Sequence, residues 1–326
     1  MDQTGTQTSP DDAPEHAPDE RAVEELAQER PRRTAIVMNA NRVEGAQELR
    51  AQITEQLAAA GWPEPAWFET TAEDPGEGQA RQAVEEGAEV VMVCGGDGTV
   101  RSAIRGLVGT DAALAVVPGG TGNLLATNLG VETDASAAVA LALGGGRDAI
   151  DVGEVDGETF AVMAGMGLDA HIMQDAPTNL KAKAGFLAYV VSAFKHLADD
   201  EMRVDVVIDD RPPLRRHART VVVGNVGRLQ GGLDLLPDAQ PANGRLDVAI
   251  IAPRNLGHWV QLLVGVVLRR KRVPNMEVLH GEHVVVRSNR PQPRQLDGDV
   301  IEPGRVLDVR VRPGALQVCV PIGPAQ

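Results

Sequence analysis

At 326 residues, 43% of them hydrophobic, and a net charge of −15, the chain has room for two domains with sizeable cores, and its acidity speaks against a nucleic-acid partner. No apolar run reaches the ~18 residues of a membrane-crossing helix, and the acidic, polar start lacks the apolar stretch of a secretion signal. The two cysteines, Cys94 and Cys319, each sit beside valines and read as small core residues rather than a disulfide framework, which points to the cytoplasm.

Residues 1–30 hold nine acids and two arginines among Pro, Thr and Gln, the composition of a disordered solvating tail. From Thr34 the pattern alternates. TAIVMNA predicts a strand and EGAQELRAQITEQLAAAG a helix stopped by Gly61. AWFET, AEVVMVC and AALAVVP predict further strands, and GQARQAVEEG, VRSAIRGLVG, GNLLATNLG and DASAAVALALGGG further helices. This β-α alternation calls for a parallel sheet covered on both faces, an α/β domain over 31–150.

After about Asp148 the grammar changes. AIDVGEVDGETFAVMAG reads as two strands around an Asp-Gly turn. Short valine-rich runs follow: RVDVVID, ARTVVVGNVG, RLDVAIIAP, HVVVRSN, VLDVRVRPG and ALQVCVP. They are bounded by Gly, Pro, Asn and Asp, and predict a mostly antiparallel β-sandwich over 151–305. Two helices interrupt it, near 180–198 and 255–272. The cluster RRHAR at 215–219 reads as a solvated turn. The second helix is apolar from Trp259 to Leu268 and then basic, which suits either burial or a membrane surface.

Two glycine loops close strands of the first domain. Gly95, Gly96, Asp97, Gly98 and Thr99 follow the third strand. Pro118, Gly119, Gly120, Thr121, Gly122 and Asn123 follow the fourth. Ligands of open α/β sheets bind beyond the carboxyl ends of strands, where bare backbone amides and a helix N-terminus favour phosphate. A carboxylate at Asp97 repels phosphate unless it orients a ribose or holds a metal ion that phosphate shares. Thr99 and Asn123 suit helix caps. A simple Asp-Gly turn with a capping threonine is the lesser alternative for the first loop. Neither loop continues into Gly-Lys-Ser/Thr, so neither is a Walker P-loop. The stretch Gly165-x-Gly167-x-x-Ala170 lies among antiparallel strands, the wrong setting for a dinucleotide fingerprint; Asp169 within it stands out as a carboxylate beside a bend.

GGDGTV, PGGTGNLLATNLG, GMGLDA and LDGD, in that order, resemble the diacylglycerol kinase catalytic family, which includes bacterial soluble lipid kinases, sphingosine kinases and ceramide kinases. The resemblance covers roughly residues 33–320. It implies a nucleotide domain, a lipid-binding β-sandwich, and a C-terminal segment (306–326) that packs back on the first domain. It implies ATP against the glycine loops with Mg²⁺, and a lipid hydroxyl as acceptor. Asp297 takes the proton-accepting place and Asp299 stands where the family has glutamate. Asn39 begins the first-strand turn, where Ala40 replaces the family's proline. Thr70 or Thr71 is expected to touch nucleotide and Asp169 the lipid. Asp97 and Asn243 are the metal candidates; Asn243 replaces an aspartate in a loop that resembles a structural Mg²⁺ site, and a neutral amide is the weaker ligand. A transient membrane contact fits the lipid substrate, and a homodimer is allowed. An NAD kinase-like enzyme with a soluble acceptor, and an inactive lipid or nucleotide binder, are the alternatives.

Overall fold

The computed structural model describes residues 31–119, 123–132, 134–167, 201–229, 233–270 and 272–322. The expected tail over 1–30, the helix near 180–198, Gly120, Thr121, Gly122 and Asp169 lie outside the described residues.

Four strands pair in parallel: β1 (Thr34–Met38), β2 (Ala66–Glu69), β3 (Val90–Gly95) and β4 (Ala113–Pro118). Every residue of β1, β3 and β4 is buried. That is why these strands read as unbroken apolar runs: helices cover both faces of a parallel sheet. The helices are α1 (Ala46–Ala59), α2 (Glu77–Glu85), α3 (Asp97–Leu107), α4 (Leu124–Asn128) and α5 (Ala135–Gly144). Leu49, Ile53 and Leu57 of α1 recur every fourth residue and are buried, one stripe on one face. On α3, Gly106 admits the neighbouring helix, since a Cβ there would meet the carbonyl of Glu77 at 2.5 Å.

The second half is antiparallel. Its strands are β5 (Gly146–Val155), β6 (Glu158–Phe160), β7 (Met163–Gly167), β8 (Met202–Ile208), β9 (Leu214–Ala218), β10 (Thr220–Gly224), β11 (Leu246–Ile251), β12 (Met276–Gly281), β13 (His283–Leu296) and β14 (Asp299–Val320). One helix, α6 (Leu256–Val267), separates β11 from β12. β8 alternates buried and more exposed residues, the period of a strand with one wet face. Phe160, Met166, Met202, Val206, Val223 and Leu307 share the sandwich interior.

The hydrogen-bonded order is β12-β11-β10-β7-β13-β14-β4-β3-β1-β2. β14 joins the halves: its start pairs with β13, and Gln317 and Val318 pair in parallel with Ala113 and Leu114 of β4. β14 thus returns to the first sheet.

Some expectations change. The cluster at 215–219 is no solvated turn: Leu214–Ala218 forms β9, paired with β8, and Arg216 meets Glu277 at 2.7 Å. Alternating Arg and His put charge on the exposed side, so a surface strand looks like a polar loop in sequence. VLDVRVRPG and ALQVCVP are not separate strands but parts of one irregular β14, bent between Arg312 and Leu316. AIDVGEVDGETFAVMAG contains three strands, not two. The expected Asp-Gly turn between β5 and β6 is present, with Asp156 at φ 53° and Gly157 at φ 84°. Gly165 lies inside β7, paired with Val222 and Gln295, so the fingerprint-like spacing is sheet interior.

Candidate active site

The first glycine loop begins where β3 ends. A Cβ on Gly95 would lie 2.7 Å from that of Thr99, so packing alone demands glycine there. Gly96 and Gly98 differ. Neither has a positive φ, and a Cβ on either would meet nothing within 4 Å. The fold does not require these two glycines; what they supply is bare backbone at the start of α3, whose first-turn amides have no acceptor within the helix. This is a cradle that a ligand phosphate fits and a side chain would fill. Helix α3 starts at Asp97, earlier than expected, so Thr99 lies in its first turn and is not the cap; Gly96 is. The Thr99 hydroxyl instead accepts from Asn39 Nδ2 at 3.3 Å.

Three other pieces border this loop. The Asn39 amide donates to the carbonyl of Cys94 at 3.0 Å, and the Thr70 amide to Met38 at 3.0 Å, so the ends of β1, β2 and β3 lie side by side. Thr71 is exposed, and its hydroxyl accepts from the Asp74 amide at 3.0 Å within a turn. The second glycine loop touches the first. Gly119 donates to the carbonyl of Gly95 at 3.2 Å, and a Cβ there would come within 2.8 Å of Val43. Asp97 Oδ1 accepts from the Leu124 amide at 2.6 Å, which ties the start of α3 to the start of α4. Asn123 caps α4 as expected, its Oδ1 accepting from Ala126 at 3.1 Å. Asn123 is 2% exposed, yet its Nδ2 has no partner among the described residues. A buried, unspent donor beside a glycine loop suits a nucleotide oxygen.

Asp297 and Gly298 make the tight bend between β13 and β14, both with left-handed backbone (φ 48° and 88°). The Asp297 carboxylate accepts three successive amides: Oδ2 from Ala161 at 2.9 Å, Oδ1 from Val162 at 2.9 Å and from Met163 at 2.8 Å. Its own amide donates to the Met163 carbonyl at 2.8 Å. Burial pushes its pKa up to about 6 against the pull of those three amides and of Arg101. Oδ2, with one amide, keeps acceptor capacity for a substrate hydroxyl.

Arg101 joins the distant parts, and the motif reading missed it. It lies on α3, is 6% exposed, and pairs with Asp299 at 2.7 Å and Glu158 at 2.8 Å. Asp299 is therefore not an idle second carboxylate. It holds Arg101 from the sandwich side. Burial holds the Asp97 pKa above the usual carboxylate range, the Leu124 amide opposes this, and nearby Asp299 adds to it. Residues 97, 101, 297 and 299 thus occupy one electrostatic neighbourhood. The signal in sequence was an arginine inside the run Thr99–Ile104, every residue of which is buried.

The two metal candidates differ. Asp97 accepts the Leu124 amide on Oδ1, and a carboxylate strained by burial and a like charge fits a cation shared with phosphates. Asn243 does not fit. Its Oδ1 accepts from the Arg245 amide at 3.1 Å, while its Nδ2, a donor, is the buried atom left without a partner. The loop is held instead by buried Asp151, whose oxygens take the Gly244 amide at 2.6 Å and the Gly314 amide at 2.9 Å. Among the described residues, no cluster of three or more His, Cys, Asp or Glu could hold a metal ion.

Comparison with known proteins follows the same division of the chain. The diacylglycerol kinase catalytic domain matches residues 33–155, and the YegS C-terminal NAD kinase beta sandwich-like domain matches residues 161–320. A YegS-like lipid kinase of Pseudomonas aeruginosa (strain PAO1) is 31% identical over 294 residues, covering 86% of this chain and 91% of that one. The diacylglycerol kinase of Bacillus subtilis (strain 168) is 26% identical over 252 residues, 76% of this chain and 82% of that one. The crystal structure of a diacylglycerol kinase from Bacillus anthracis str. Sterne superposes with a TM-score of 0.67 at 20% identity, covering 89% of this chain and 97% of that one. An NAD kinase from Archaeoglobus fulgidus in complex with ATP does so at 0.50 and 11% identity, covering 88% and 93%. At these identities the two structures speak to the fold alone.

Proposed function

Because the chain belongs to the diacylglycerol kinase catalytic family, with a YegS-type C-terminal domain, we propose that it is an ATP-dependent lipid kinase, a phosphotransferase acting on the hydroxyl of a diacylglycerol or sphingoid-like lipid. The nucleotide domain corresponds to 31–150 with the return of 306–326, and the lipid domain to 151–305. The protein works in the cytoplasm and meets its lipid by peripheral contact with a membrane. Among the described residues no helix is long and apolar enough to cross one.

In this reading Gly95, Gly96, Gly98 and the loop 119–123 receive the phosphates, with Asn39, Thr70, Thr99 and Asn123 at its edge. Asp97 would hold the Mg²⁺ that shields phosphate charge. Asp297 Oδ2 accepts the proton as the lipid oxygen forms its bond to the γ-phosphorus and the bond to the β,γ-bridging oxygen breaks, releasing ADP. Asp299 and Glu158 position Arg101, whose charge offsets the clustered carboxylates. Asp169 is kept as a substrate contact, and Thr71 as a weaker nucleotide candidate.

One observation supports this most: a carboxylate on three consecutive amides, with its pKa near 6, shares its surroundings with the glycine-loop aspartate. The test is γ-labelled ATP with a panel of lipid alcohols in mixed micelles, with NAD included as a soluble acceptor. Label in a lipid that Asp297→Asn abolishes supports the reading. Label in NAD alone, or ATP binding with no transfer to any acceptor, overturns it.

A further inference from the structure

Helix α6 is half packed. Leu262, Gly265 and Val266 are buried, and Gly265 lies against Val273 and Pro274, where a Cβ would come within 2.9 Å of the valine. The opposite side is apolar and open. Leu256 (48% exposed), Val260 (49%), Val264 (40%), Val267 (54%) and Leu268 (59%) stand clear of the fold. At ~100° per residue these five fall within an arc of about 120°, a single stripe. Exposed Arg270 and Arg272 follow at its C-terminal end, while Arg269 is held by Asp234 at 2.6 Å.

This stripe is coupled to the glycine loops. Asn128 of α4 donates from Nδ2 to the Arg228 carbonyl at 2.9 Å and accepts the Arg228 amide at 3.0 Å. Arg228 pairs with Asp234 at 3.2 Å, and Asp234 with Arg269 at the end of α6. Three residues therefore join the helix after the second glycine loop to the apolar helix.

We propose that the outer face of α6 docks on the leaflet of an anionic bilayer, the stripe entering the headgroup–acyl boundary and Arg270 and Arg272 meeting anionic headgroups. On a chain with a net charge of −15, a long-range attraction to such a surface is absent, so a local basic end beside an apolar stripe is the arrangement that can hold it there. A second protein copy would face the same acidity without lipid to receive the stripe. The inference rests on the lipid-kinase reading for its purpose, but not for its test.

The experiment is co-flotation of the full-length protein with phosphatidylcholine vesicles, with and without phosphatidylglycerol. The wild-type protein is expected to float, more strongly with phosphatidylglycerol and less at high salt. Val260→Asp/Val264→Asp is expected to lose at least about tenfold in partitioning to both vesicle types, given that each valine leaves water on docking. Arg270→Glu/Arg272→Glu is expected to lose about fivefold or more per arginine, and only with phosphatidylglycerol. Thermal melts check that each variant is folded, and the exposed positions make this the expected result. Wild-type protein that does not float, variants that float like wild type, or an apolar variant that changes only the oligomeric mass each overturn the proposal. Flotation without phosphorylation of any lipid overturns the kinase reading and leaves the docking face standing. Phosphorylation of a short-chain dispersed lipid without flotation does the reverse.

Discussion

Asp297→Asn separates two consequences of one buried carboxylate. The native pKa of about 6, against an ordinary 3.8, corresponds to about 3 kcal/mol of preference for the protonated form. The folded state therefore binds this proton more tightly than the unfolded chain. Stability from this group is fully present below pH ~4 and is lost as pH rises through ~6, by about 3 kcal/mol in all. Asparagine does not titrate and removes that slope. It also has one acceptor oxygen instead of two. Oδ1 can keep the Val162 and Met163 amides, but the amide group would face the Ala161 donor, costing about 1–3 kcal/mol. The variant should be less stable than wild type by about that cost at pH 4, and should gain about 3 kcal/mol relative to it by pH 8. Urea unfolding of both proteins across this range measures the difference. In the same range, wild-type kcat/KM should fall about tenfold per pH unit below 6, and the variant should lose about 10²–10⁴ in transfer while binding ATP normally. A stability difference that is flat or of opposite slope would refute the buried-carboxylate argument. Unimpaired transfer would refute the proton-accepting role.

The remaining predictions test neighbouring parts. Gly96→Ala should fold with an unchanged melting temperature, because its Cβ meets nothing, and should weaken ATP binding by about tenfold in calorimetry. Gly119→Ala, crowded by Val43 and Gly95, should instead destabilise by about 1–3 kcal/mol in chemical unfolding. Arg101→Met should raise the acid limb of the pH–rate profile above pH 6, since Arg101 lowers the Asp297 pKa, and should reduce kcat more than the KM for ATP. A chelator should leave the melting temperature unchanged, because Asp151 and two amides hold the Asn243 loop without an ion; a large drop would restore a structural metal there. Cys94, whose thiol burial pushes to about 12, and buried Cys319 should react with a thiol reagent only after denaturant is added.

What could be read from sequence, and what could not, follows from the range of the forces involved. β1, β3 and β4 were legible because two-sided burial makes an unbroken apolar run, and α1 because its buried residues recur every fourth position. Asn123 was legible as a cap because capping is settled within three residues. β9 was not, since a strand with one wet face of Arg and His differs from a polar turn only through its partner β8. Arg101 was not assigned either. Its meaning depends on Asp299 and Glu158, which reach it only when β14 returns to the first sheet.

In the proposed reaction, that return also explains how Asp297 would serve chemistry begun by a loop 200 residues earlier. The bend at 297–298 is fixed twice: by the amides of 161–163, which receive the carboxylate, and by the strand beyond it, which is anchored alongside β4. The left-handed conformation at Asp297, costly for a residue with a Cβ, is held because both flanking strands are paired. Asp297→Gly would keep the bend and relieve the backbone, yet leave three buried amides without an acceptor. It should therefore lose stability despite easier geometry, by roughly 1–3 kcal/mol per unsatisfied amide that water does not reach. A glycine variant as stable as wild type in urea unfolding would mean that the amides, and not the carboxylate, find their partners elsewhere, and the positioned base would lose its structural basis.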